Sequence, residues 1–442
     1  MATQEKSPGL TIAAGARRRA IVSSVIGNGL EWFDFGIFSS FSIIISRLMF
    51  PSQSGPAVLM VAFASFGIAF VVRPFGGVLL GMYADRAGRK AALSAIILMM
   101  SAGTLLIGLT PTYATIGIAA SVLIVFARML QGFSAGGEFA SATAMLLEYS
   151  PQGRRNLIGS FQACSQALSF ALGGAVAYLL LHNLTPASLH GWGWRLPFLF
   201  GSLIGPIGYY IRSQVDESPE FEAFLKQKRR TPADRLSLAG ILRRYPRQLL
   251  ATLGIVAVCT TSSYVGLIYI PLFASGQLGL DASTGQLGML AGALVLLVMC
   301  PLTGYLADRY GRRRVMVPAM LLYGVLAYPL LASLMNAPDA SALIRFELVS
   351  AFLMSFFWGP SAAALAEAFP VQIRSTGMAI VYNLGAMCFG GLAPLINTWL
   401  TKVTGDRLAP AWYIAASVVL GTVGVLVMTQ REPLAQQSSQ HA

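Results

Sequence analysis

Charged residues are scarce in this chain of 442 residues. Asp, Glu, Lys and Arg together make up 11% of it, against roughly 25% in an average soluble domain. Hydrophobic residues make up 55%, and the mean hydropathy is +0.65. This composition excludes an ordinary soluble domain and favours a protein that crosses a membrane many times. The net charge of +13 does not indicate a nucleic-acid partner, because the basic residues lie in short segments between apolar runs.

Residues that carry enzyme chemistry are also few. The four cysteines occur singly within apolar runs, which gives no spacing for a zinc site or a redox pair. The three histidines form no H-x-x-x-H motif, and the sequence contains no G-x-x-x-x-G-K-[ST] phosphate-binding loop. We therefore expect no enzyme activity, no metal site and no cofactor.

A basic motif bounded by glycines occurs twice. The pattern G-x-x-x-D-R-x-G-R-[KR] begins at Gly81 and again at Gly304, an interval of 223 residues, which is about half of the chain. A second pair of segments, beginning at Glu148 and Glu367, repeats after 219 residues. Duplicated membrane chains are typical of transporters, whose substrate site lies between the two halves.

Twelve segments are long and apolar enough to cross a bilayer as helices of about 20 residues. They lie near 20–49, 56–82, 91–110, 116–146, 157–181, 195–213, 248–275, 284–306, 315–335, 341–367, 372–401 and 409–429. The predicted fold class is an all-α membrane protein with twelve transmembrane helices in two pseudo-symmetric six-helix bundles. The predicted domains are an N-terminal segment (1–19), a first bundle (20–213), a polar linker (214–247), a second bundle (248–429) and a tail (430–442).

Lysine and arginine are concentrated in alternate loops. One set of loops holds both copies of the basic motif, the linker and the arginines near the two termini, whereas the other set holds little beyond Arg47, Arg195, Arg345, Lys402 and Arg407. Basic loops stay in the cytoplasm. We therefore expect a multi-pass membrane protein with both termini cytoplasmic.

Five charged residues lie deep inside predicted helices of the first bundle, well away from the helix ends, where each costs about 2.5 to 3.5 kcal/mol at mid-bilayer. They are Glu31, Asp34, Arg73, Arg128 and Glu138. We predict that Glu31, Asp34 and Glu138 bind the coupling ion, which is a proton or, since oxygen ligands also suit cations, Na⁺. The alternative is a neutralising network that only holds helices together.

Arg128 and several uncharged polar residues are the candidates for binding a substrate. Arg128 can pair with one of the buried acids, and so take part in coupling, or bind an anion through its planar guanidinium. The polar candidates are Asn28, Gln131, Gln162, Gln166, Tyr264, Tyr382 and Asn383. Gln162 and Gln166 lie four residues apart and so face one way on the fifth helix. Hydroxyl groups near Tyr264, in contrast, often bond only to their own backbone.

The repeated loop motifs are predicted to act as gates. An acid at a helix end can form an ion pair, or bind a helix N-terminus across the loop, and release it when the halves rock. The alternative is that these loops only anchor the topology by positive charge. The candidates are Asp85, Arg86, Arg89, Glu148, Asp308, Arg309, Arg312, Glu367 and Arg374.

The duplicated loop motif and the R-x-x-Q-G sequence that begins at Arg128 resemble the two best-known signatures of the major facilitator superfamily. Within it, four further sequences resemble the metabolite:proton symporter family, which includes bacterial carriers for citrate, α-ketoglutarate, shikimate and proline or betaine. They are G-N-x-x-E-W-F-D-F from Gly27, R-P-F-G-G from Arg73, Q-G-F-S-A-G-G-E from Gln131 and W-G-W-R-L-P-F from Trp192. The similarity extends from about residue 20 to 430.

The resemblance implies a twelve-helix carrier that takes up a small molecule by alternating access, driven by protons, and that works as a monomer in the lipid bilayer. Short sequences such as N-A-P from Asn336 resemble the citrate carriers, whereas Y-N-L-G from Tyr382 also recurs among osmolyte carriers. Some osmolyte carriers have a long coiled-coil extension, which this polar tail does not resemble. We therefore favour a di- or tricarboxylate such as citrate.

Three other functions stay open at the level of sequence. A proton- or sodium-coupled symporter of a zwitterionic osmolyte has the same motifs, and so does an efflux antiporter of the same superfamily. A channel or receptor built on a transporter fold is the third.

Overall fold

The computed structural model describes residues 14–51, 55–87, 89–151, 153–213, 238–370 and 373–428. The predicted first bundle is helical, with six spans separated by short loops. Their bounds are α1 Ala14–Met49, α2 Gly55–Ala87, α3 Arg89–Leu109, α4 Ile118–Glu148, α5 Arg155–Asn183 and α6 Leu196–Ser213. Three short helices lie in its loops, at Tyr113–Ile116, Pro186–Gly191 and Gly193–Arg195.

The second half repeats this order of helices. Its spans are α7 Pro246–Gln277, α8 Ala282–Tyr310, α9 Arg312–Asn336, α10 Ala340–Glu367, α11 Arg374–Thr404 and α12 Ala409–Met428. Ten of the twelve spans meet both the length and the apolarity that a membrane crossing needs. Helix α3, whose apolar part is the shorter segment Ser94–Leu109, and α6 complete the two sets of six. Twelve transmembrane helices in two bundles were predicted, and this prediction is confirmed.

Some predicted boundaries differ from those of the structure. Helix α1 begins at Ala14, inside the predicted N-terminal segment, because the arginines that follow are good helix formers. A helix at Leu238–Arg244 and the start of α7 at Pro246 lie within the predicted linker. Residues 214–237 and 429–442, on which the rest of the linker and the tail fall, lie outside the described residues.

Three spans are not regular α-helices throughout. Helix α4 is interrupted at Gly136 and Gly137, between its segments Ile118–Ala135 and Glu138–Glu148. Helices α7 and α11 each contain a π-helical turn, at Tyr264–Tyr269 and Ala386–Gly391. Such turns are frequent at functional sites, and here each interruption lies in a helix that contributes to contacts between the two halves.

Glycines bring α2 and α4 into backbone contact. A Cβ atom on Gly132 would overlap the carbonyl oxygen of Ala69, and one on Gly76 would overlap that of Phe133. Close helix approach through small residues is typical of membrane bundles, where burial from water does not drive association. The charged residues on these two helices, Arg73 and Arg128, are therefore held between tightly packed backbones.

The two ends of the bundle differ in charge. We call the end at which α8 meets α9 the basic face, because Arg309 and Arg312 to Arg314 lie there, and the other end the opposite face. At the opposite face Asp339 precedes α10, where its carboxylate accepts hydrogen bonds from the Ser341 hydroxyl and the Ala342 N–H. These bonds hold the pKa of Asp339 below its ordinary value, so this exposed acid stays charged.

Candidate functional site: a cavity between the two halves

A small cavity of about 40 Å³ lies between the two halves, near the middle of the spans. This is room for a few water molecules. Aromatic rings, amides and hydroxyls from both halves line it: Trp32, Phe139, Gln162, Gln166, Thr260, Ser263, Tyr264, Trp358, Ser361 and Tyr382, together with small apolar residues. The cavity has the mixed apolar and polar lining that small-molecule sites have in general.

A buried ion pair stands behind the aromatic wall of this cavity. Arg73 Nη2 donates to Glu31 Oε1 at 2.7 Å, and both side chains are almost fully buried. The guanidinium carbon of Arg73 lies 5.3 Å from the ring centroid of Tyr382, which belongs to the other half, and 5.8 Å from that of Trp32. Arg73 Nε and Nη1 have no hydrogen-bond partner among the described residues. Neither Arg73 nor Glu31 lines the cavity itself. The pair lies one layer behind the rings of Tyr382 and Trp32, and two nitrogens of Arg73 are left as donors for an anion that displaces these rings.

Arg128 lies elsewhere, inside the first bundle. Its Nη1 donates to Gln131 Oε1 at 2.7 Å, and its other nitrogens donate to the carbonyl oxygens of Ser65 and Phe66 on α2. Its guanidinium carbon lies 4.0 Å from the ring centroid of Phe38. Arg128 does not line the cavity between the halves, so the structure does not bring it into position for direct contact with a substrate there.

Arg128 is connected to Asp34 through two polar side chains. Gln131 Nε2 donates to Thr104 Oγ1 at 2.8 Å, and Thr104 Oγ1 donates to Asp34 Oδ2 at 2.5 Å. The path from the cation to the carboxylate thus contains neutral groups that can rearrange. Three helices, α1, α3 and α4, share it, so a change in the charge of Asp34 would act on their packing.

The three predicted coupling acids meet at a second cavity, which lies within the first bundle and measures about 30 Å³. Glu31, Asp34 and Glu138 all line it, together with the hydroxyl residues Ser101 and Ser134. All three acids are buried, with exposed fractions of 5% or less. Glu31 therefore borders this acidic cavity while its carboxylate holds Arg73 beside the other one. The sequence analysis named these three acids as the candidates for coupling, and the structure places all of them at one cavity.

Four of the predicted substrate residues line the cavity between the halves: Gln162, Gln166, Tyr264 and Tyr382. Asn28 does not, because its amide exchanges hydrogen bonds with Gln162 and Ser165 between α1 and α5. Gln131 belongs to the Arg128 network instead. Asn383 Nδ2 donates to the carbonyl oxygen of Gly136 at 2.7 Å, which links α11 to the interruption in α4. Asn28, Gln131 and Asn383 thus make contacts between or within helices and do not line the cavity.

At the basic face the halves are joined by Asp308. Its carboxylate accepts from the backbone N–H groups of Asn156 and Leu157, both at 2.9 Å, and from Asn156 Nδ2 at 2.8 Å. These donors form the N-terminal turn of α5. Arg312 adds a hydrogen bond to Asn156 Oδ1 at 2.6 Å and an ion pair with Glu367 at 2.7 Å, and Arg155 lies 3.4 Å from Glu367. The predicted helix N-terminus across the loop is therefore present in the structure.

The remaining gate candidates differ in what they contact. Arg374 Nε donates to the carbonyl oxygen of Ala366, and the guanidinium of the exposed Arg309 lies over the ring of Tyr310. Glu148 is partly buried at the end of α4. The side chains of Asp85, Arg86 and Arg89 lie outside the described residues, so the gate role of the first motif copy stays a prediction.

Contacts toward the opposite face also join the halves. Ser40 Oγ donates to Gln286 Oε1 at 2.7 Å, and the rings of Phe63 and Tyr269 lie 5.6 Å apart. Toward the basic face the rings of Phe139 and Tyr382 stack at 3.4 Å. The cavity thus has contacts between the halves on both sides of it, which is the arrangement expected midway through alternating access.

Sequence reasoning missed three features of this region. Arg73 was recognised as a buried charge, but no role was predicted for it. The sequence alone gave no reason to prefer it to Arg128. Trp358 and Ser361 of α10 line the cavity without any motif to mark them. Glu347, also in α10, was overlooked because it lies close to the start of its span, yet its exposed fraction is only 1%.

Comparisons with known proteins agree with this architecture. Residues 20–240 match the family described as sugar (and other) transporters, and residues 293–442 match the Major Facilitator Superfamily. The crystal structure of a D-xylose-proton symporter has a TM-score of 0.70 with this chain at 20% identity, covering 92% of this chain and 96% of that one. A partially occluded inward-open form of the Escherichia coli xylose transporter has a TM-score of 0.72 at 15% identity, covering 95% and 98%.

Curated relatives are more similar in sequence. A citrate-proton symporter of Klebsiella pneumoniae is 35% identical over 430 residues, which cover 97% of this chain and 96% of that protein. A proline/betaine transporter of Escherichia coli K12 is 32% identical over 428 residues, which cover 95% and 85%. The repeated loop motif, the two bundles and the central cavity all fit these matches. The chain therefore belongs to the major facilitator superfamily of membrane transporters, in its metabolite:proton symporter family.

Proposed function

We propose that this protein takes up a small organic anion, a di- or tricarboxylate such as citrate, together with protons. The name of the Klebsiella relative supports both the substrate and the ion. The observation that carries the proposal is the buried pair of Glu31 and Arg73, which stands between an acidic cavity in the first bundle and the aromatic cavity between the halves.

The pair can couple the two ligands by competition for one guanidinium. While Glu31 is ionised, it holds Arg73 at 2.7 Å. When Glu31 gains a proton from the acidic cavity, its attraction for Arg73 falls, and the guanidinium becomes available to a substrate carboxylate as a two-pronged donor. The rings of Tyr382 and Trp32 would have to move aside. Tyr382 belongs to the second half, so its ring moves away from Arg73 when the two halves rock against each other. Substrate binding and proton binding then favour one another, as a symporter requires.

Asp34 supplies a second protonation step in this proposal. Its link through Thr104 and Gln131 to Arg128 ties its charge to the packing of α1, α3 and α4. Loss of that charge would free Gln131 and Arg128 to rearrange, and so change the energy of rocking between the two conformations. The role of Arg128 is then to position helices and to take part in coupling, without contact with the substrate.

The orientation and assembly follow from the same reasoning. The basic face is proposed to be cytoplasmic, with both termini there, because it carries the arginine-rich loops. The opposite face is then the external one, in the bacterial inner membrane. The site is built entirely within one chain, which supports a monomer as the working unit. The coupling ion is proposed to be a proton, with sodium as the alternative.

A zwitterionic substrate such as betaine or proline is the second candidate, and one observation favours it. The rings of Trp32, Tyr264, Trp358 and Tyr382 line the cavity, and aromatic faces attract quaternary ammonium groups. Arg73 would then bind the single carboxylate of the zwitterion. Citrate, in contrast, has three carboxyl groups for one arginine, so it would bind most easily when partly protonated.

Uptake into proteoliposomes distinguishes these possibilities. The pure protein would be given labelled citrate in sodium-free buffer, with and without an inward proton gradient, and initial rates would be measured. Succinate, α-ketoglutarate, shikimate, proline and betaine would follow as competitors. Empty liposomes and an Arg73→Gln variant serve as controls.

Citrate uptake that the gradient stimulates, with dicarboxylates as the strongest competitors, would support the first proposal. Competition by betaine and proline alone would support a zwitterionic substrate instead. Uptake only after addition of sodium would replace the proton as coupling ion. Stimulation by an outward instead of an inward proton gradient would indicate an antiporter.

A further inference from the structure

A buried carboxylate in the second half has no part in the mechanism above. Glu347 lies in α10, with 1% of its surface exposed, and neither of its carboxyl oxygens has a hydrogen-bond partner among the described residues. It lies seven residues after the start of α10 at Ala340, which places it about 10 Å along the helix from the opposite face. We propose that Glu347 is a further proton-binding site, the first one in the second half, and that it is protonated while the two halves are closed at that face.

The surroundings of Glu347 favour the neutral acid. The carboxyl lies directly against α8, where a Cβ added to Gly292 would be 2.9 Å from Oε2 and one added to Gly288 would be 3.4 Å from Cγ. Leu267 of α7 also lies beside Gly292. An ionised carboxylate in such a place, without a cation or a donor, costs several kcal/mol. A proton bound to the carboxyl removes most of that cost.

The charged and titratable neighbours do not change this conclusion. Tyr323 of α9 is close enough to interact electrostatically, and its own hydroxyl has no hydrogen-bond partner in the described part of the chain. Helix α8 presents Gly288 and Gly292 to the carboxyl, and α7 presents Leu267. The nearest arginine along the chain, Arg345, is exposed. None of these groups stabilises a negative charge on Glu347.

Helix α8 links this site to the movement of the two halves. Its surface on one side covers Glu347, whereas on another side Gln286 accepts a hydrogen bond from Ser40 and packs on Gly174 of the first half. When the halves part at the opposite face, α8 loses these contacts and can move away from α10. Water then has a short path to the carboxyl, which can release or take up its proton. Glu347 would thus exchange protons from the external side only.

Two measurements on the complete protein test the site. The first is an infrared spectrum of the purified protein at neutral pH, in which a protonated carboxyl gives its own C=O band. Glu347→Gln should remove one component of that band, because the amide has no such group. Asp339→Asn is the matched control, since that carboxyl is exposed and charged, and it should leave the band unchanged.

The second measurement is the dependence of initial uptake on external pH, and only this arm rests on the proposed function. If each half must bind at least one proton before transport, the logarithm of uptake falls with a slope of two or more above the titration range, about a hundredfold or more per pH unit. Glu347→Gln should reduce that slope by about one. If the Glu347→Gln variant does not reach the membrane, the Glu347→Met variant, whose side chain has a similar volume, is used in its place.

The outcomes separate the two proposals. An unchanged infrared band in Glu347→Gln would show that the carboxyl is ionised and would overturn the inference. Loss of the band with an unchanged slope would show a proton that takes no part in transport, which also overturns it while leaving proton-coupled uptake intact. If the wild type shows no pH slope, proton-coupled uptake fails, and the infrared band alone decides whether Glu347 holds a proton.

Discussion

The two halves share a helical plan but divide the charges unequally. The first half buries five charged side chains, and all of them belong to networks: the pair of Glu31 and Arg73, the path from Asp34 to Arg128, and Glu138 beside the acidic cavity. The second half contributes hydroxyls, amides and rings to the central cavity, and its one deeply buried acid, among the residues described, is Glu347. The two halves therefore share the arrangement of helices, whereas the buried charges lie mainly in the first half.

Among the buried charges of the first half, we expect Arg73 to have the largest effect on uptake. Arg73→Gln removes the guanidinium that the proposal assigns to the substrate carboxylate, and we therefore expect uptake to fall at least about 100-fold, or about 2.7 kcal/mol. The unfolding temperature should fall as well, because Glu31 loses its buried cation and breaking such a pair costs about 3 to 5 kcal/mol of stability. The double variant Glu31→Gln/Arg73→Gln should regain stability but not uptake. The exposed Arg345→Gln is the control, and normal uptake by Arg73→Gln would remove Arg73 from the site.

Asp34 should separate coupling from substrate binding. Asp34→Asn keeps an acceptor for the Thr104 hydroxyl but cannot titrate, so gradient-driven uptake should fall by about 100-fold, within the range of coupling energies known for proteins. Exchange of labelled for unlabelled substrate without a gradient should change little. The two rates would be measured in the same proteoliposomes. Equal loss of both rates would instead assign Asp34 to folding or to substrate binding.

Asp308 provides a comparison in the second half. Asp308→Asn weakens three hydrogen bonds to the start of α5, each worth about 1.5 to 3 kcal/mol to a charged acceptor. The basic face should therefore open more often. A cysteine placed at the fully buried Ser160, after replacement of the four native cysteines, should react with a water-soluble thiol reagent about tenfold faster. Asp281→Asn, exposed near the opposite face, should have no effect; equal labelling of both variants would contradict a gate role for Asp308.

The smallest expected effect lies at the contact of α5 with α8. A Cβ on Gly174 would be 3.1 Å from Met289 Cε and 3.2 Å from the carbonyl oxygen of Gln286, close enough to require a small shift of α8. Gly174→Ala should alter uptake by no more than about threefold, or less than 1 kcal/mol. Gly191→Ala, whose Cβ would meet nothing within 4 Å, is the matched control. A severe loss with Gly174→Ala would mean that this contact tolerates no movement.

The sequence predicted the scaffold better than the site. The twelve spans follow from hydropathy and length, which act within one helix, and the repeat at Gly81 and Gly304 predicted the two halves. Buried charges could be identified for the same local reason. Which of them lies near the cavity wall depends on how helices rotate about their axes: Arg73 and Arg128 both interrupt apolar helices, but Arg73 lies over the ring of Tyr382 of the other half, whereas Arg128 lies over Phe38 of its own half. Sequence without contacts contains no such information.

The contact between Asp308 and α5 has a consequence for which substitutions this part of the chain can accept. Two of its three donors are main-chain N–H groups, those of Asn156 and Leu157. Every amino acid except proline carries such a group. Substitutions at these two positions can therefore alter the side chains and still preserve two of the three hydrogen bonds, whereas a substitution of Asp308 weakens all three at once. Tolerance to mutation at this contact is one-sided: the receiving helix accepts most side chains, and the acid has no equivalent replacement.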